Sequence, residues 1–90
     1  MQVPVDLKIR YLSRRLEDIP KLRQALDEED FSYALMVGHQ VKGNAVTFDV
    51  PQMAHVGLEM EKAALKKDKE KVKILIEKME AIIQSVKATY

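Results

Sequence analysis

The chain of 90 residues has no cysteine and no tryptophan, and only three glycines and three prolines. Without cysteine there is no disulfide framework, no thiolate zinc site and no redox motif. Two phenylalanines and three tyrosines are the whole aromatic complement, so a core must be aliphatic. Glycine and proline are too sparse to make a flexible linker, and no internal repeat stands out. Charge of one sign is lacking as well. Fifteen basic and fourteen acidic residues leave a net charge of +1. That balance excludes the broad basic footprint of a nucleic-acid or anionic-membrane binder. No apolar run approaches the roughly 20 residues of a membrane span, and no signal peptide opens the chain. A cytoplasmic protein is expected. The 47% hydrophobic fraction is that of a globular chain, and the length suits one small domain over residues 1–90.

Hydrophobic spacing predicts helices throughout, and no segment alternates like a strand. The first runs from about Val5 to Leu26, with Ile9, Leu12, Leu16, Ile19, Leu22 and Leu26 as its stripe. Pro20 lies inside it and predicts a kink or break near Glu17 to Ile19. The second begins after Asp30, a candidate N-cap, and ends near Phe48. Asp49, three residues before Gln52 and two before Pro51, reads as the cap of a third helix that continues to about Lys67. Asp68 caps the fourth, which carries Val72, Leu75, Ile76, Met79, Ile82, Ile83 and Val86. Four amphipathic helices with short connections predict an all-α, antiparallel four-helix bundle.

His39 stands apart on this frame. Phe31, Ala34, Gly38, Val41, Ala45 and Phe48 make the buried stripe of the second helix. At 100° per residue, His39 falls on the opposite side, with Lys42 and Gly43 one turn on. A lone histidine is more often a core or incidental surface residue. Here the wheel argues against core, and the lysine–glycine pair argues against incident. An imidazole in water, with a cation and cleared space beside it, suits an anion, and a phosphoryl group best.

The stretch Phe31 to Ala64 resembles the histidine-containing phosphotransfer (HPt) domain of two-component phosphorelays. The matching features are HxxKG at His39 to Gly43, Asn44-Ala45, Phe48, Pro51, Gly57, Glu61-Lys62-Ala63-Ala64 and Asp68. Tyr11-Leu12 and Glu17-Asp18-Ile19 resemble the family's first helix, so the likeness spans nearly the whole chain. The resemblance implies that His39 is the phosphorylated residue, that Lys42 steadies the phosphoryl group and that Gly43 keeps the imidazole accessible. The family usually has glycine directly after the aromatic, where Asp49 stands here. That departure is expected to replace a flexible turn with an N-cap.

The residues support such chemistry. A neutral imidazole nitrogen is a competent nucleophile near pH 7 and can hold a phosphoryl group as a phosphoramidate. Transfer depends on alignment and charge spreading. No Walker motif, glycine-rich nucleotide loop or carboxylate cluster for Mg²⁺ occurs, so no cofactor is expected and Mg²⁺ belongs to the partner. The expected activity is that of a phosphocarrier, not an autonomous enzyme. The partners implied are a response-regulator receiver domain, with an aspartate as donor or acceptor, and a hybrid sensor histidine kinase. Neither nucleic acid nor membrane is expected as a partner, and the protein is expected to be a monomer. The start at Met1 and the complete helical pattern favour a free-standing protein over a phosphotransfer domain excised from a chemotaxis-type kinase. A helical interaction module that carries no phosphate is the reading from another class, and His39, Lys42 and Gly43 together count against it.

Leu35, Met36 and Val46 share the His39 side of the wheel, and Gln40 lies at its rim. They read as a docking ring for the receiver, centred on Met36; Leu35 and Val46 are also candidates for boundary positions half covered by the first helix. His55 projects away from its helix's apolar stripe and reads as a solvent histidine. Gly38 lies on the buried stripe, where it allows close helix approach.

Overall fold

The computed structural model describes residues 3–90, so Met1 and Gln2 of the expected domain lie outside the described residues. Among the described residues there are four helices and no strand: α1 (Val5–Asp27), α2 (Ser32–Asn44), α3 (Pro51–Leu65) and α4 (Lys69–Lys87). Each packs on its chain neighbour, and α1 closes the ring against α4. Cross-links fix the directions. Tyr11 reaches Asn44 while Asp18 meets Tyr33, so α1 and α2 are antiparallel. Ser13 meets Lys87 while Arg23 meets Glu80, so α1 and α4 are antiparallel too. The expected bundle is the observed one.

The core is the aliphatic one that the composition requires. Leu12, Ile19, Met53, Met60, Ile76 and Ile83 are fully buried within it, and no polar or charged residue is buried among the described residues. Val37 and Ala63, outside the expected stripes, are buried as well. Of the kink or break expected at Pro20, the break does not occur: α1 is continuous through it. Pro20 is exposed, while Ile19 and Leu22 are almost wholly buried on either side. Burying two such side chains, worth about 1.5–3 kcal/mol each, offsets a proline cost of about 3 kcal/mol.

The helix ends hold a larger correction. Glu29, Asp49 and Lys67 all have left-handed backbones, with φ of 57°, 62° and 54°. Around each, two reversed hydrogen bonds close the turn. At Asp49, its N–H donates to the Val46 carbonyl and the Val50 N–H to the Ala45 carbonyl. This is the Schellman arrangement, in which glycine usually occupies the left-handed position. Asp49 is therefore a terminator of the α2 segment, not the cap of α3. Val50 precedes α3 and no side chain caps it. Asp49 retains the conformation that glycine would adopt, and its carboxylate meets Lys8 at 3.3 Å.

Other boundaries move slightly. Regular α2 stops at Asn44, with hydrogen-bonded turns leading on through Phe48, and α3 stops at Leu65. Phe31, not Asp30, is the residue that precedes α2, and Asp30 Oδ1 accepts from the Ser32 N–H and hydroxyl. Asp68 caps α4 as expected, accepting from the Lys71 N–H at 3.2 Å.

Candidate functional site

The site is built on the closest helix pair in the bundle. Gly38 of α2 faces Gly57 of α3. A Cβ on Gly38 would lie 2.8 Å from both the Glu61 nitrogen and the Gly57 oxygen. A Cβ on Gly57 would lie 2.6 Å from the Lys42 nitrogen. Neither position can take a side chain without moving backbone, so the two helices touch through their main chains. Gly38 does what its place on the stripe predicts.

This contact sets one register. It brings His39, one residue after Gly38, to Glu61, one turn after Gly57. His39 Nδ1 and Glu61 Oε2 are 2.7 Å apart, and Lys42 Nζ donates to Glu61 Oε1, also at 2.7 Å. One carboxylate therefore joins the two residues that the sequence singles out. The three differ in exposure. The His39 side chain is 69% exposed and that of Lys42 38%, whereas Glu61 is 17% exposed. The Lys42 ammonium, and after it the His39 ring, hold the Glu61 carboxyl below its ordinary range by hydrogen bonding to its charged form. A carboxylate is an acceptor only, so the proton of this contact belongs on Nδ1, and in the neutral ring Nε2 then carries the lone pair. Nε2 has no hydrogen-bond partner among the described residues.

Gly43 is exposed, and a Cβ there would meet nothing within 4 Å. Met36 and Val46, which the helical wheel groups with His39, are 45% and 62% exposed. Leu35 differs: it is half-buried, packs against the core and lies beside Phe31, Ala64 and Leu65, toward α3. It is a boundary residue, covered from the α3 side and not by the first helix. Gln40 is exposed on the other flank and accepts from Arg15 at 3.4 Å. His55 is exposed, 3.9 Å from Glu59 and apart from this cluster. No group of three or more His, Cys, Asp or Glu side chains suited to a metal occurs among the described residues.

The sequence model of the Hpt domain matches residues 6–89, nearly the whole chain. The chain belongs to the Hpt domain family. Such domains carry out histidine phosphotransfer in two-component systems as phosphocarriers without a kinase activity of their own. No curated protein and no solved structure matches this Hpt domain. No helix among the described residues is long and apolar enough to cross a membrane.

Glu61 has no role that the sequence alone assigns. It appears in the family-like run after Gly57, but its partners belong to another helix. The signal that could have found it is the pair of buried glycines. If Gly38 and Gly57 face each other on antiparallel helices, the residue one turn after Gly57 must meet the α2 face beside Gly38.

Proposed function

We propose that His39 accepts a phosphoryl group on Nε2 from a receiver-domain aspartyl phosphate and returns it to such an aspartate. The Nε2 lone pair attacks phosphorus. An N–P bond forms, the acyl-phosphate P–O bond breaks, and the bonding pair leaves with the aspartate carboxylate. The ring then carries phosphoryl on Nε2 and a proton on Nδ1, and bears positive charge. Glu61, 2.7 Å from Nδ1, offsets that charge and holds the ring in place. Its role parallels that of a carboxylate that orients and stabilises an imidazolium. Lys42 shares the Glu61 carboxylate, and its partly exposed ammonium is available to the equatorial oxygens. Gly43 leaves room for the approaching domain. Mg²⁺ and its carboxylate ligands belong to the receiver in this reading.

The observation that carries the proposal is the single hydrogen-bonded chain His39–Glu61–Lys42 on an open face. Met36 and Val46 extend that face as the apolar docking surface, with Gln40 at its rim and Leu35 a minor contributor. A panel of phosphorylated receiver domains tests the reading. Wild type should take up acid-labile label, and His39→Gln should take up none while keeping its helical CD signal. Equal labelling of the two proteins would refute it. A helical interaction module without phosphate would leave wild type unlabelled across the panel.

A further inference from the structure

The α1–α2 seam carries charge of one sign. A groove of about 370 Å³ opens there, with Arg10, Arg14 and Arg15 on one wall and Asn44 and Phe48 on the other. The Tyr11 and Phe48 rings stack at 4.5 Å, 5° from parallel. The Tyr11 hydroxyl donates to Asn44 Oδ1 at 2.6 Å. That bond occupies the Asn44 carbonyl and leaves its amide N–H groups to donate.

No carboxylate lines this groove. Arg10 and Arg14 are exposed and make no ion pair among the described residues. Arg15 has one carboxylate partner, Asp18, at 3.3 Å. Its neighbour across the seam is Gln40, the residue after His39. Other surface clefts mix signs: Arg23, Lys69 and Lys73 stand with Asp27, Glu70 and Glu77 in one, and Lys62 and Lys66 with Glu59 and Asp68 in another. Near neutrality overall thus hides a local excess of donors, joined to the residue after His39 through Arg15 and Gln40.

We propose that this groove seats an acidic segment of the protein partner that exchanges phosphate at His39. The identity of that partner rests on the function proposed above; the charge match does not. Arg10 and Arg14 are one helical turn apart, about 6 Å along the axis. Two carboxylates at that spacing can each meet one planar guanidinium fork. The occupant is a protein segment, because the groove adjoins the surface on which a receiver must lie. Such a contact would steer and orient a partner that the apolar face alone would only hold.

The test is an NMR titration of ¹⁵N-labelled protein with a tetraglutamate peptide at low salt, with tetraglutamine and inorganic phosphate as comparisons. Tetraglutamate should shift amides over 7–15 and 44–48. Raising salt from about 0.01 M to about 0.15 M, which shortens the Debye length from about 30 Å to about 8 Å, should weaken the effect. R10E/R14E should weaken binding about tenfold, from two lost exposed pairs plus repulsion. His39→Gln should bind the peptide like wild type. Shifts centred on lysines 66–73, no shifts, or an unchanged R10E/R14E titration would overturn the proposal. Equal affinity for inorganic phosphate would make this a free-anion site and overturn it too. In receiver-to-protein transfer, R10E/R14E should raise the half-saturating concentration and spare the saturated rate; an unchanged dependence would overturn the docking role. Failure of wild type to accept phosphate would defeat the phosphocarrier reading and leave the peptide titration to judge the groove.

Discussion

The two seams that flank α2 are built on opposite plans. Toward α3, Gly38 and Gly57 remove side chains until backbone meets backbone. Toward α1, Tyr11, Arg15, Tyr33 and Phe48 hold the helices apart with large side chains and polar contacts. The first plan fixes a register to within a fraction of a turn and places Glu61 under His39. The second leaves a groove. A histidine that must present one nitrogen needs the tight seam, and a surface that must meet another protein gains from the loose one.

The sharpest way to break the tight seam is Gly57→Ala. The new Cβ would meet main-chain atoms at 2.6 and 2.8 Å, which no rotamer change relieves. Overpacking of this kind costs about 3 kcal/mol at the upper end of its range, against a helix-propensity gain of about 1 kcal/mol. A net loss of about 2 kcal/mol is expected in urea denaturation. An unchanged midpoint would show that the helices separate freely.

Glu61→Ala acts on function through the same seam. It should slow transfer to His39 about tenfold, the scale of losing an orienting carboxylate behind a ring nitrogen, while the helical CD signal stays. Loss of the Nδ1–H preference in ¹⁵N spectra of the His39 ring should accompany the slower rate. A slower rate with the ring's tautomer unchanged would count against positioning. The variant should also respond differently to acid. In wild type the folded Glu61 carboxyl titrates below its ordinary value of 4.5. Its pairing therefore stabilises the fold above about pH 4.5 and is lost as pH falls through the lowered folded value. Glu61→Ala should lose that part of the acid dependence.

Helix termination offers a smaller effect of opposite sign. Lys67 occupies a left-handed position with no glycine to relieve it, so Lys67→Gly should gain about 1 kcal/mol. Asp49→Gly should gain less, because aspartate tolerates this conformation and the Lys8 contact would be lost. Smaller still is Gly43→Ala, with a gain of about 0.5 kcal/mol in the last turn of α2, where a methyl meets nothing. Gly57→Ala and Gly43→Ala thus give the same substitution opposite signs, and melting curves of the pair isolate the seam's contribution.

What was legible in the sequence follows the range of each interaction. The 3–4 spacing of apolar residues gave the four helices, and the wheel put His39 outside, because both depend on one helix at a time. Val37 and Ala63 lie off the single-helix stripes because a helix packed between two neighbours buries a wider arc than one stripe. Pro20 does not break α1 because its cost is local and the anchorage by Ile19 and Leu22 is tertiary. Asp49 departs from its expected role for another reason. Its carboxylate suggested a cap, whereas the family's glycine at that position pointed to a left-handed turn, and the backbone geometry prevailed over the side chain. Glu61 could not be assigned from α3 alone, since its role exists only in the register that two glycines impose.

In the proposed mechanism Glu61 holds the Nδ1 proton of His39 and so reserves Nε2 for phosphate. The direct measurement is ¹⁵N and ³¹P NMR of the histidine-labelled protein after phosphorylation by a phosphorylated receiver domain. Phosphorus coupled to Nε2 of His39, with Nδ1 still protonated, is the expected result. Coupling to Nδ1, or phosphorus on His55 instead, would contradict it.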